Sequence, residues 1–325
     1  MTDIRDTELG LMHSYQEAFI TSSDAQRLMM CLWAASTRIY RSKQAFARLG
    51  FSAAGKGCGK TTAMQVVGAF CQEPVVVGYS TSAALKGWFD EHPDSVVGLD
   101  ERDQMFGATG RSTGGRAEIV TVLNSGYEVT GKVMCVRNSK TVLMKVYNAM
   151  MHGGIGRAPE TLADRSVDIT LQKAQPQETY VESLYGAEMA RTGQEIADWL
   201  SGHAERKAID AYGHRARLGA DPRHELMMAP LGAVASLCGL DDEFRAADEE
   251  IRSGVRANPM PSRAEMLLTK LPAGERLTAD DIRTLLPGEF LPGRMGDLLI
   301  AGLLRQVGIE RTSSNGWHGY QMPEL

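Results

Sequence analysis

A glycine-rich stretch of the chain combines the residue types that bind phosphate. Phe51–Thr62 reads FSAAGKGCGKTT, which matches the pattern GxxxxGK followed by Ser or Thr, except that Ala54 stands at the first glycine. Backbone N–H groups and a helix amino terminus bind the phosphate, so no particular side chain is needed at that position. The stretch therefore predicts a phosphate-binding loop.

Each part of this loop has its own expected task. The glycines leave the backbone free to wrap around a phosphate, Lys60 reaches the β- and γ-phosphates, and the Thr61 hydroxyl holds Mg²⁺. ATP and Mg²⁺ are therefore the expected ligands. The residues expected to contact the nucleotide are Gly55, Lys56, Gly57, Cys58, Gly59, Lys60, Thr61 and Thr62. The structural alternative is a glycine-rich turn that only precedes a helix.

Two acids follow the apolar run Val96–Leu99 about forty residues later. At the end of a strand, Asp100 can hold the Mg²⁺ shell, while Glu101 can orient or deprotonate an attacking water. On its own, an acidic pair after a strand is more often a surface feature. Together with the loop, the pair predicts nucleotide hydrolysis rather than nucleotide storage.

The elements around these motifs follow the order strand, loop, helix, strand. Ala47–Ser52 is the expected strand before the loop, Thr61–Cys71 the helix after it, and Val75–Ser80 the next strand. SVVGLDERD contains a further strand, and Thr141–Met151 is expected to form another. Such alternation predicts an α/β fold, with a parallel sheet that has helices on both faces.

Two proline-bearing breaks divide the chain. QKAQPQE ends the strand-and-helix pattern, mainly helical signals follow it, and RANPMPS separates these helices from the remainder. The expected domains are residues 1–178, with amino-terminal helices and the nucleotide-binding core, residues 179–256, a helical lid, and residues 257–325, a winged-helix-like module.

The last module has the order of three helices followed by a two-stranded ribbon. The expected helices are Arg263–Lys270, Ala279–Leu285, with Thr278 as its cap, and Gly293–Gly302. In a winged helix the third helix can enter the major groove. This third helix is mostly apolar, so Arg311 and Trp317 in the ribbon are the candidate DNA contacts. Docking to a protein is an equal alternative.

Composition narrows the class of protein. The chain has 325 residues, a net charge of −5 and five scattered cysteines without metal-ligand spacing. The acidic balance argues against a surface coated by nucleic acid, so any such contact must be local. No apolar run approaches the ~20 residues that cross a bilayer, and the amino terminus lacks the order of a secretory signal. A cytoplasmic protein without membrane contact is therefore expected.

Four stretches in sequence resemble one family: GKGCGKTT, LDERDQMFG, VLNSGYEVTGKVMCV and GGIGRAPETLADRSVDITL. They resemble the phage and prophage ATPases grouped as domain of unknown function 3631, whose members are often attached to primase-like or replication-helicase-like proteins. The resemblance covers about Ala25–Glu225 and implies a P-loop ATPase of the AAA+ type. It implies more about ATP hydrolysis than about the work that hydrolysis drives.

The resemblance also implies roles for residues near the fourth strand. AAA+ proteins follow that strand with a residue that senses the γ-phosphate and then with an arginine finger. Asn148 and His152 are the candidate sensors. Arg165 is the candidate finger, with Arg157 as the second choice. A finger stabilises charge on the nucleotide of a neighbouring subunit, so a homo-oligomeric ring is expected.

Two of these arginines have other interpretations. Arg165 could be a buried arginine paired with Asp164 or Asp168. Arg223, in the expected lid, is a candidate second sensor that acts within its own subunit.

Two segments are candidate nucleic-acid contacts. Gly126–Val136 is expected to form a hairpin, and superfamily 3 helicases have a hairpin at this point that faces the ring channel. Lys132 would be its basic tip residue, with Arg137 nearby. Arg111 and Arg116 lie in the glycine-rich stretch GATGRSTGGR, which suits phosphate contacts. Solvated turns are the alternative for both segments.

These patterns predict a Mg²⁺- and ATP-dependent ring ATPase that acts on DNA as a phage or prophage replication helicase or helicase loader. Single-stranded or duplex DNA, further copies of the chain and a replication protein are the expected partners. A nucleotide-switched DNA-binding or assembly protein with slow hydrolysis and no translocation is the alternative. A small-molecule kinase is a third interpretation, which the arginine after the sensor strand disfavours.

Overall fold

The computed structural model has an α/β fold in which helices flank a five-stranded parallel sheet. It describes residues 2–78, 80–102, 114–137, 139–173, 178–204, 218–219, 221–257, 261–287, 294–314 and 317–323. The strands are β1 (Arg48–Ala53), β2 (Val75–Val77), β3 (Val97–Leu99), β4 (Lys132–Arg137), β5 (Lys140–Lys145), β6 (Met150–Ile155), β7 (Ser166–Leu171), β8 (Arg276–Leu277), β9 (Arg311–Ser314) and β10 (Trp317–Gln321).

The helices lie between and after these strands. They are α1 (Gly10–Phe19), α2 (Asp24–Ser36), α3 (Lys60–Ala69), α4 (Ser82–Glu91), α5 (Gly114–Ser125), α6 (Glu160–Ala163), α7 (Glu182–Ala204), α8 (Pro222–Leu237), α9 (Asp241–Ala257), α10 (Arg263–Leu268), α11 (Ala279–Leu285) and α12 (Arg294–Gln306). Short 3₁₀ helices span Ile4–Asp6 and Tyr40–Ser42. The helix α3 and the strands β1, β2 and β3 were predicted from the sequence and are confirmed, apart from their ends.

The sheet has the strand order β2-β3-β6-β1-β7, and all neighbouring strands run parallel. Strand β6 therefore lies between β1, which leads into the glycine-rich loop, and β3, which ends at the two acids. His152 of β6 pairs with Gly50 of β1 on one side and with Leu99 of β3 on the other. The carboxyl ends of these three strands consequently form one edge of the sheet.

The two faces of the sheet differ in polarity, because successive side chains of a strand point to opposite faces. One face is apolar across β6, β1 and β7, and its buried residues include Leu49, Phe51, Ala53, Met151, Val167, Ile169 and Leu171. On the other face, Val97, Leu99 and Met150 pack with residues of α4 and α5. Towards β7 that same face carries Gly50, Ser52, His152, Ser166, Asp168 and Thr170.

Helix α2 runs beside β7, the last strand of the sheet. It begins with a capping box in which Ser23 and Gln26 each bind the other's backbone N–H. The Gln26 side chain also donates to the Thr170 carbonyl at the end of β7, while Trp33 Nε1 donates to the Ala47 carbonyl just before β1. These two bonds attach α2 to the end of β7 and to the segment that leads into β1.

Most described residues of the segment expected as a helical lid belong to the helices α7, α8 and α9. Asp221 caps α8, and Pro222 occupies the first helical position, where its missing N–H leaves no bond unmade. The Met227 carbonyl of α8 accepts the backbone N–H of Ala47 at 3.2 Å. Helices α8 and α9 both pack against α2. They therefore sit beside the sheet at its β1–β7 side.

The hairpin differs from the prediction. Strands β4 and β5 form an antiparallel ribbon in which Arg137 pairs with Lys140 at the turn and Lys132 pairs with Lys145 at the open end. The segment before Lys132 consists of turns and one isolated bridge between Glu128 and Ala45, and it requires glycine at position 131, where a Cβ would lie 1.9 Å from the Ser125 carbonyl oxygen. Lys132 is therefore not a tip residue, and Thr141–Met151 is divided between β5 and β6.

The residues from 261 onward have a core of their own. Apolar side chains of α10, α11, α12 and the three-stranded sheet β8-β10-β9 form this cluster, which includes Leu267, Ile282, Ile300, Leu304 and Tyr320. Thr278 caps α11 as predicted, with its hydroxyl accepting the Asp281 N–H at 3.2 Å. The three expected helices are present, the third extends further than predicted, and β8 was not predicted.

Candidate functional site

The glycine-rich loop connects the carboxyl end of β1 to the amino end of α3. Gly57 and Gly59 adopt left-handed backbone angles, with φ of 72° and 78°, which favour glycine. A Cβ added at Gly55, Gly57 or Gly59 would meet nothing within 4 Å, so the space around the loop is open. Gly59 caps α3 without a side-chain hydrogen bond. The first N–H groups of α3 are thus presented to an anion.

The lysine that begins α3 closes this loop. Lys60 Nζ donates to the Gly55 carbonyl oxygen at 2.9 Å, which holds its ammonium group inside the curve of the loop. Of the other expected contact residues, Lys56 is exposed, and Cys58 and Thr62 are half-buried. The loop therefore gathers one cation and a row of backbone donors at the carboxyl edge of the sheet.

The expected metal ligands meet although 39 residues separate them in sequence. The Thr61 hydroxyl of α3 donates a hydrogen bond to Asp100 Oδ2, directly after β3. Thr61 lies on the helix that follows β1, and Asp100 follows β3. Because β6 separates these two strands, the hydrogen bond connects segments whose strands are two spacings of ~4.8 Å apart. A hydroxyl next to a carboxylate suits Mg²⁺, which prefers oxygen ligands and needs few from the protein when phosphates bind it. The residues present therefore fit this ion.

Glycine residues in β6 leave space for the Thr61–Asp100 hydrogen bond. A Cβ added at Gly153 would lie 2.8 Å from Met64 Cε and 3.4 Å from Asp100 Oδ1. Gly154 follows it, opposite Ser52 of β1. The carboxyl edge of β6 thus has no side chain at these two positions that could fill the space between loop and acids.

Glu101 stands beside the Thr61–Asp100 pair in an unusual backbone conformation. Its φ is 54°, in the left-handed region that non-glycine residues seldom adopt, and its side chain is exposed. Its N–H donates to Asp100 Oδ1 at 2.8 Å, which fixes the Asp100 carboxylate. Such strain persists only where surrounding contacts hold it.

Those contacts continue into a buried polar network. Arg102 is 1% exposed and donates to His152 Nδ1 at 2.9 Å, to Ser52 Oγ at 2.6 Å and to the Gly156 carbonyl at 2.6 Å. His152 Nε2 lies 2.9 Å from Ser166 Oγ. The network spans β6, β1 and β7 on the polar face of the sheet.

Burial decides the protonation states in this network. Burial, with the nearby Arg102 and Arg48 charges, holds the pKa of His152 well below its ordinary value, so the ring is neutral. Burial also raises the pKa of Asp168, while the Arg102 charge and a hydrogen bond from Ser52 act in the opposite direction. A Cβ on Gly50 would lie 2.3 Å from Asp168 Oδ1, so glycine is required where these groups converge.

Neither candidate sensor is brought to the loop. The His152 side chain is 0% exposed, and both of its ring nitrogens have partners in the network. Asn148 precedes β6, at the amino edge of the sheet, where its side chain donates to the Pro93 carbonyl at 3.1 Å. The strand expected over Thr141–Met151 would have placed both residues at or near its carboxyl end, whereas β6 begins only at Met150.

The arginines after β6 lie at opposite edges of the sheet. Arg157 is exposed just past the carboxyl end of β6, and its N–H donates to the Pro261 carbonyl at 3.2 Å. Arg165 lies before β7, at the amino edge, with its guanidinium 5.0 Å above the Tyr127 ring and bonded to the Thr161 carbonyl. A strand of this length separates Arg165 from its own loop by roughly 16 Å.

The last candidate site arginine, Arg223 in the expected lid, also lies at this amino edge. Arg223 donates to Asp164, the residue before Arg165, and half of its side chain is exposed. Arg223 is therefore not brought to the loop of its own subunit.

The candidate nucleic-acid residues fall on three separate surfaces. Arg137 is exposed at the turn of the β4–β5 ribbon, where it forms an ion pair with Asp90 at 2.7 Å. Arg111 lies outside the described residues, and Arg116 belongs to α5 rather than to a loop. Arg311 is exposed on β9, and Trp317 is half-buried, with the Arg276 guanidinium 5.4 Å from its ring.

A cavity of about 580 Å³ adjoins the carboxyl ends of β1 and β7 on the polar face. Its walls include Ser52 and Thr170 from the sheet, Ser23 and Gln26 from the start of α2, and Gly254 from α9. It lies on the side of β1 away from β3, and hence on the side of the loop away from the acids.

Comparison with known proteins does not identify a family. No protein-family model matches the chain, and no curated protein matches it significantly. Within the described residues, no helix is long and apolar enough to cross a membrane. The same part of the chain contains no cluster of three or more His, Cys, Asp or Glu side chains arranged for a metal ion.

Sequence reasoning missed two features of this region. Arg102 directly follows the acidic pair, and that adjacency was the only available signal for its role. The second feature is the pairing of β4 with β5, which adds Lys140 and Lys145 to the basic ribbon; the strand expected over Thr141–Met151 contained Lys145 but was not expected to pair with Lys132–Arg137. The cavity has no local signal, since its walls come from distant parts of the chain.

Proposed function

We propose that this chain is a Mg²⁺-dependent ATPase of the P-loop type, similar to AAA+ ATPases. It would form a ring and act on DNA as a phage or prophage replication helicase or helicase loader. The observation that carries the ATPase proposal is the hydrogen bond from Thr61 to Asp100 beside the loop that Lys60 closes. Such a meeting of hydroxyl, carboxylate and ammonium groups is what a Mg²⁺–triphosphate requires.

The chain's own residues would divide the work as follows. The N–H groups of the loop and of the first turn of α3 bind phosphate oxygens, and Lys60 adds a positive charge. Thr61 and Asp100 orient the metal shell, and Glu101 accepts a proton from the attacking water or orients it. Thr61 and Asp100 would hold Mg²⁺, which would supply positive charge to offset the charge that develops on the phosphates.

The position of the cavity beside Ser52 supports one orientation of ATP in the loop. The acids lie on the β3 side of the loop, so the terminal phosphate would point there. The nucleoside would then extend to the other side of β1, towards β7, where the cavity of about 580 Å³ lies. That volume is within the usual range for small-molecule sites. Ser23 and Gln26 in its wall offer polar groups for a base or ribose.

Two exposed basic surfaces support the DNA part of the proposal. The β4–β5 ribbon carries Lys132, Arg137, Lys140 and Lys145 and no acid. The face that carries Lys132 and Lys145 also exposes Met134 and Val136 at 74% each and Leu143 at 60%, while Arg137 and Lys140 lie on the opposite face. Cations beside an exposed apolar face suit single-stranded nucleic acid, which offers both phosphates and bases. In the winged-helix-like module, exposed Arg311 is the corresponding group.

One observation favours the alternative, a nucleotide-switched DNA-binding or assembly protein with slow hydrolysis. The Arg165 guanidinium is held by Thr161 and Tyr127 of its own subunit, so it must leave these partners before it can act on a neighbour. A subunit interface that does not release Arg165 would hydrolyse ATP slowly.

The deciding experiment measures ATP hydrolysis by the full chain with Mg²⁺, with and without single-stranded or duplex DNA. Under the proposal, wild-type protein hydrolyses ATP and DNA raises the rate. Glu101→Gln still binds ATP, but its rate of ATP hydrolysis is lower by a factor of ~10² or more. The matched control is Glu195→Gln, an exposed glutamate on α7. Absence of ATP binding would refute the proposal, and slow hydrolysis that DNA does not change would favour the switch.

A further inference from the structure

Arg102 is the most completely bonded side chain next to the candidate catalytic acids. It directly follows Glu101, it is 1% exposed, and its guanidinium has acceptors on two strands and on the turn after β6. A guanidinium is planar and offers five N–H donors in a fixed fork. Three acceptors around this fork therefore set both the position and the orientation of the side chain.

The direction of each hydrogen bond in this network follows from chemistry. A guanidinium can only donate, so His152 Nδ1 must accept from Arg102 and the ring proton must be on Nε2. Nε2 then donates to Ser166 Oγ, whose own proton goes to the Leu162 carbonyl at 2.7 Å. This arrangement needs a neutral imidazole, and burial lowers the pKa of His152 accordingly.

The partners of Arg102 support the glycine-rich loop. Ser52 is two residues before Ala54, where the loop begins. The N–H of Gly156 donates to the carbonyl of Ala53 at 2.9 Å, while the carbonyl of Gly156 accepts from Arg102. The Arg102 side chain thereby connects the turn that carries the acids to the carboxyl end of β1, from which the loop starts. One connection runs through Ser52 and the other through Gly156.

The need for such a connection is visible at Glu101. Its exposed carboxylate is carried by a left-handed backbone, with φ of 54°, and no strand pairing extends beyond Leu99 of β3. Asp100, at the start of the turn, is held by its N–H, which donates to the Val77 carbonyl at 2.9 Å, and by its carboxylate, which accepts from Thr61 and from the Glu101 N–H. The Arg102 side chain holds the turn after Glu101 by its bonds to the sheet, and without it that side of the turn could relax towards a commoner backbone conformation.

We propose that Arg102 is a positioning residue, which locks the Asp100–Glu101 turn onto β1 and β6 so that the Glu101 carboxylate is aligned with a nucleotide held in the loop. The inference rests on the proposed ATPase function. Arg102 itself is buried away from the open side of the loop, so it acts through Glu101. Its loss should slow the chemical step and leave ATP binding nearly intact, because the loop and Lys60 are unchanged.

The test uses substitutions that separate this role from a general loss of stability. Arg102→Lys keeps a positive charge near Asp168 but cannot span three acceptors. His152→Gln and His152→Asn form a matched pair. An asparagine places its amide oxygen near the position of Nδ1 and can still accept from Arg102, whereas a glutamine places its amide near Nε2 and cannot.

The measurements are the dissociation constant of a fluorescent ATP analogue, the single-turnover rate of ATP hydrolysis and the melting temperature of each full-length variant. We expect Arg102→Lys and His152→Gln to lower the single-turnover rate by ~10²-fold, as small misplacements of catalytic groups do, while the dissociation constant stays within about threefold of wild type. His152→Asn should retain most of the rate.

Two results would overturn the inference while leaving the ATPase proposal intact. One is that the wild-type protein hydrolyses ATP and that Arg102→Lys and His152→Gln both hydrolyse it at nearly the same rate. The other is an equal loss of rate in His152→Gln and His152→Asn that tracks their melting temperatures, which would give the network a purely structural role. If wild-type protein does not hydrolyse ATP at all, the ATPase proposal itself fails.

Discussion

Lys60 and Gly55 are joined across the glycine-rich loop, with the lysine ammonium 2.9 Å from the glycine carbonyl oxygen. The bond spans the five residues over which the loop turns, and it directs the only side-chain cation of the first α3 turn inwards. A phosphate that enters the loop would exchange this neutral acceptor for charged oxygens. The Lys60 ammonium would then be paired with an opposite charge rather than with a carbonyl dipole, which strengthens the attraction.

Lys60→Ala should therefore abolish ATP turnover, with a loss of ~10² or more in rate and weaker ATP binding. The measurement is steady-state phosphate release together with binding of a fluorescent ATP analogue. Lys270→Ala, which removes an exposed lysine from the last module, is the control and should behave as wild type. Unchanged ATP binding by Lys60→Ala would contradict the role of the loop.

How far the sequence predicts this site depends on the range of the contacts. The loop, Thr61 and the acids could be predicted because their chemistry follows from neighbouring residues and short apolar strands. The partners of Arg102 could not be predicted, since Ser52 and His152 each lie fifty positions away. Their meeting depends on β6 lying between β1 and β3, and apolar runs do not encode strand order.

The ribbon and β7 were missed for a related reason. The sequence passes from β5 into β6 through Val146 and Tyr147 without a glycine or proline, so the two strands looked like one. Strand β7 alternates Ser166, Asp168 and Thr170 with apolar residues, as a surface strand does. Its polar side chains in fact face the buried network and the cavity.

Arg165 provides a prediction about subunit interfaces. If it acts on a neighbour's nucleotide, Arg165→Ala and Lys60→Ala should each be inactive alone, and mixed rings should recover activity at shared interfaces. Each such interface combines an intact loop with an intact arginine. ATP hydrolysis is measured against the mixing ratio, with Arg223→Ala as a control at the same edge of the sheet.

The same substitution also removes the contact with Tyr127, which is worth about 0.5–2 kcal/mol in proteins. A lower melting temperature for Arg165→Ala is therefore expected in either case. Wild-type hydrolysis by Arg165→Ala, or mixtures that stay inactive at every ratio, would return Arg165 to a structural role.

The ribbon has two basic ends, and they can be tested separately. Arg137→Ala with Lys140→Ala removes the pair at the turn, and Lys132→Ala with Lys145→Ala removes the pair at the open end. Each lost phosphate contact should reduce the salt slope of single-stranded DNA binding by roughly 0.7. We expect the larger reduction from the turn pair. Arg191→Ala on α7 controls for net charge, and equal slopes in all variants would exclude the ribbon as a DNA contact.

The separate core of the last module leads to a prediction about truncation. Its buried residues cluster apart from the main core, so residues 1–257 should fold and hydrolyse ATP without it. If exposed Arg311 contacts DNA, truncation and Arg311→Ala should both weaken duplex binding and reduce its salt dependence. If duplex binding survives truncation and a co-purifying replication protein is lost, the module docks a protein instead.

The volume of the cavity between α9 and the sheet can be reduced by a substitution that clashes with no neighbouring residue. Gly254 of α9 lines it, and a Cβ added there would meet nothing within 4 Å. Gly202 of α7 is equally open but lies away from the cavity, so Gly254→Leu and Gly202→Leu are a matched pair. Leucine is a better helix former than glycine, by somewhat less than the ~0.8–1.0 kcal/mol that separates alanine from glycine, so neither variant should lose stability.

Only one of the two substitutions should affect the nucleotide. If the cavity receives the base and ribose of ATP, the leucine at position 254 takes up part of their space, and such overpacking typically costs about 1–3 kcal/mol. We expect Gly254→Leu to weaken ATP binding by about tenfold or more, while binding of inorganic triphosphate, which has no base or ribose, stays unchanged. Gly202→Leu should leave both affinities as in wild type. An equal loss for ATP and triphosphate would mean that the substitution disturbs the phosphate loop itself, and no loss for either would exclude the cavity as the nucleoside site.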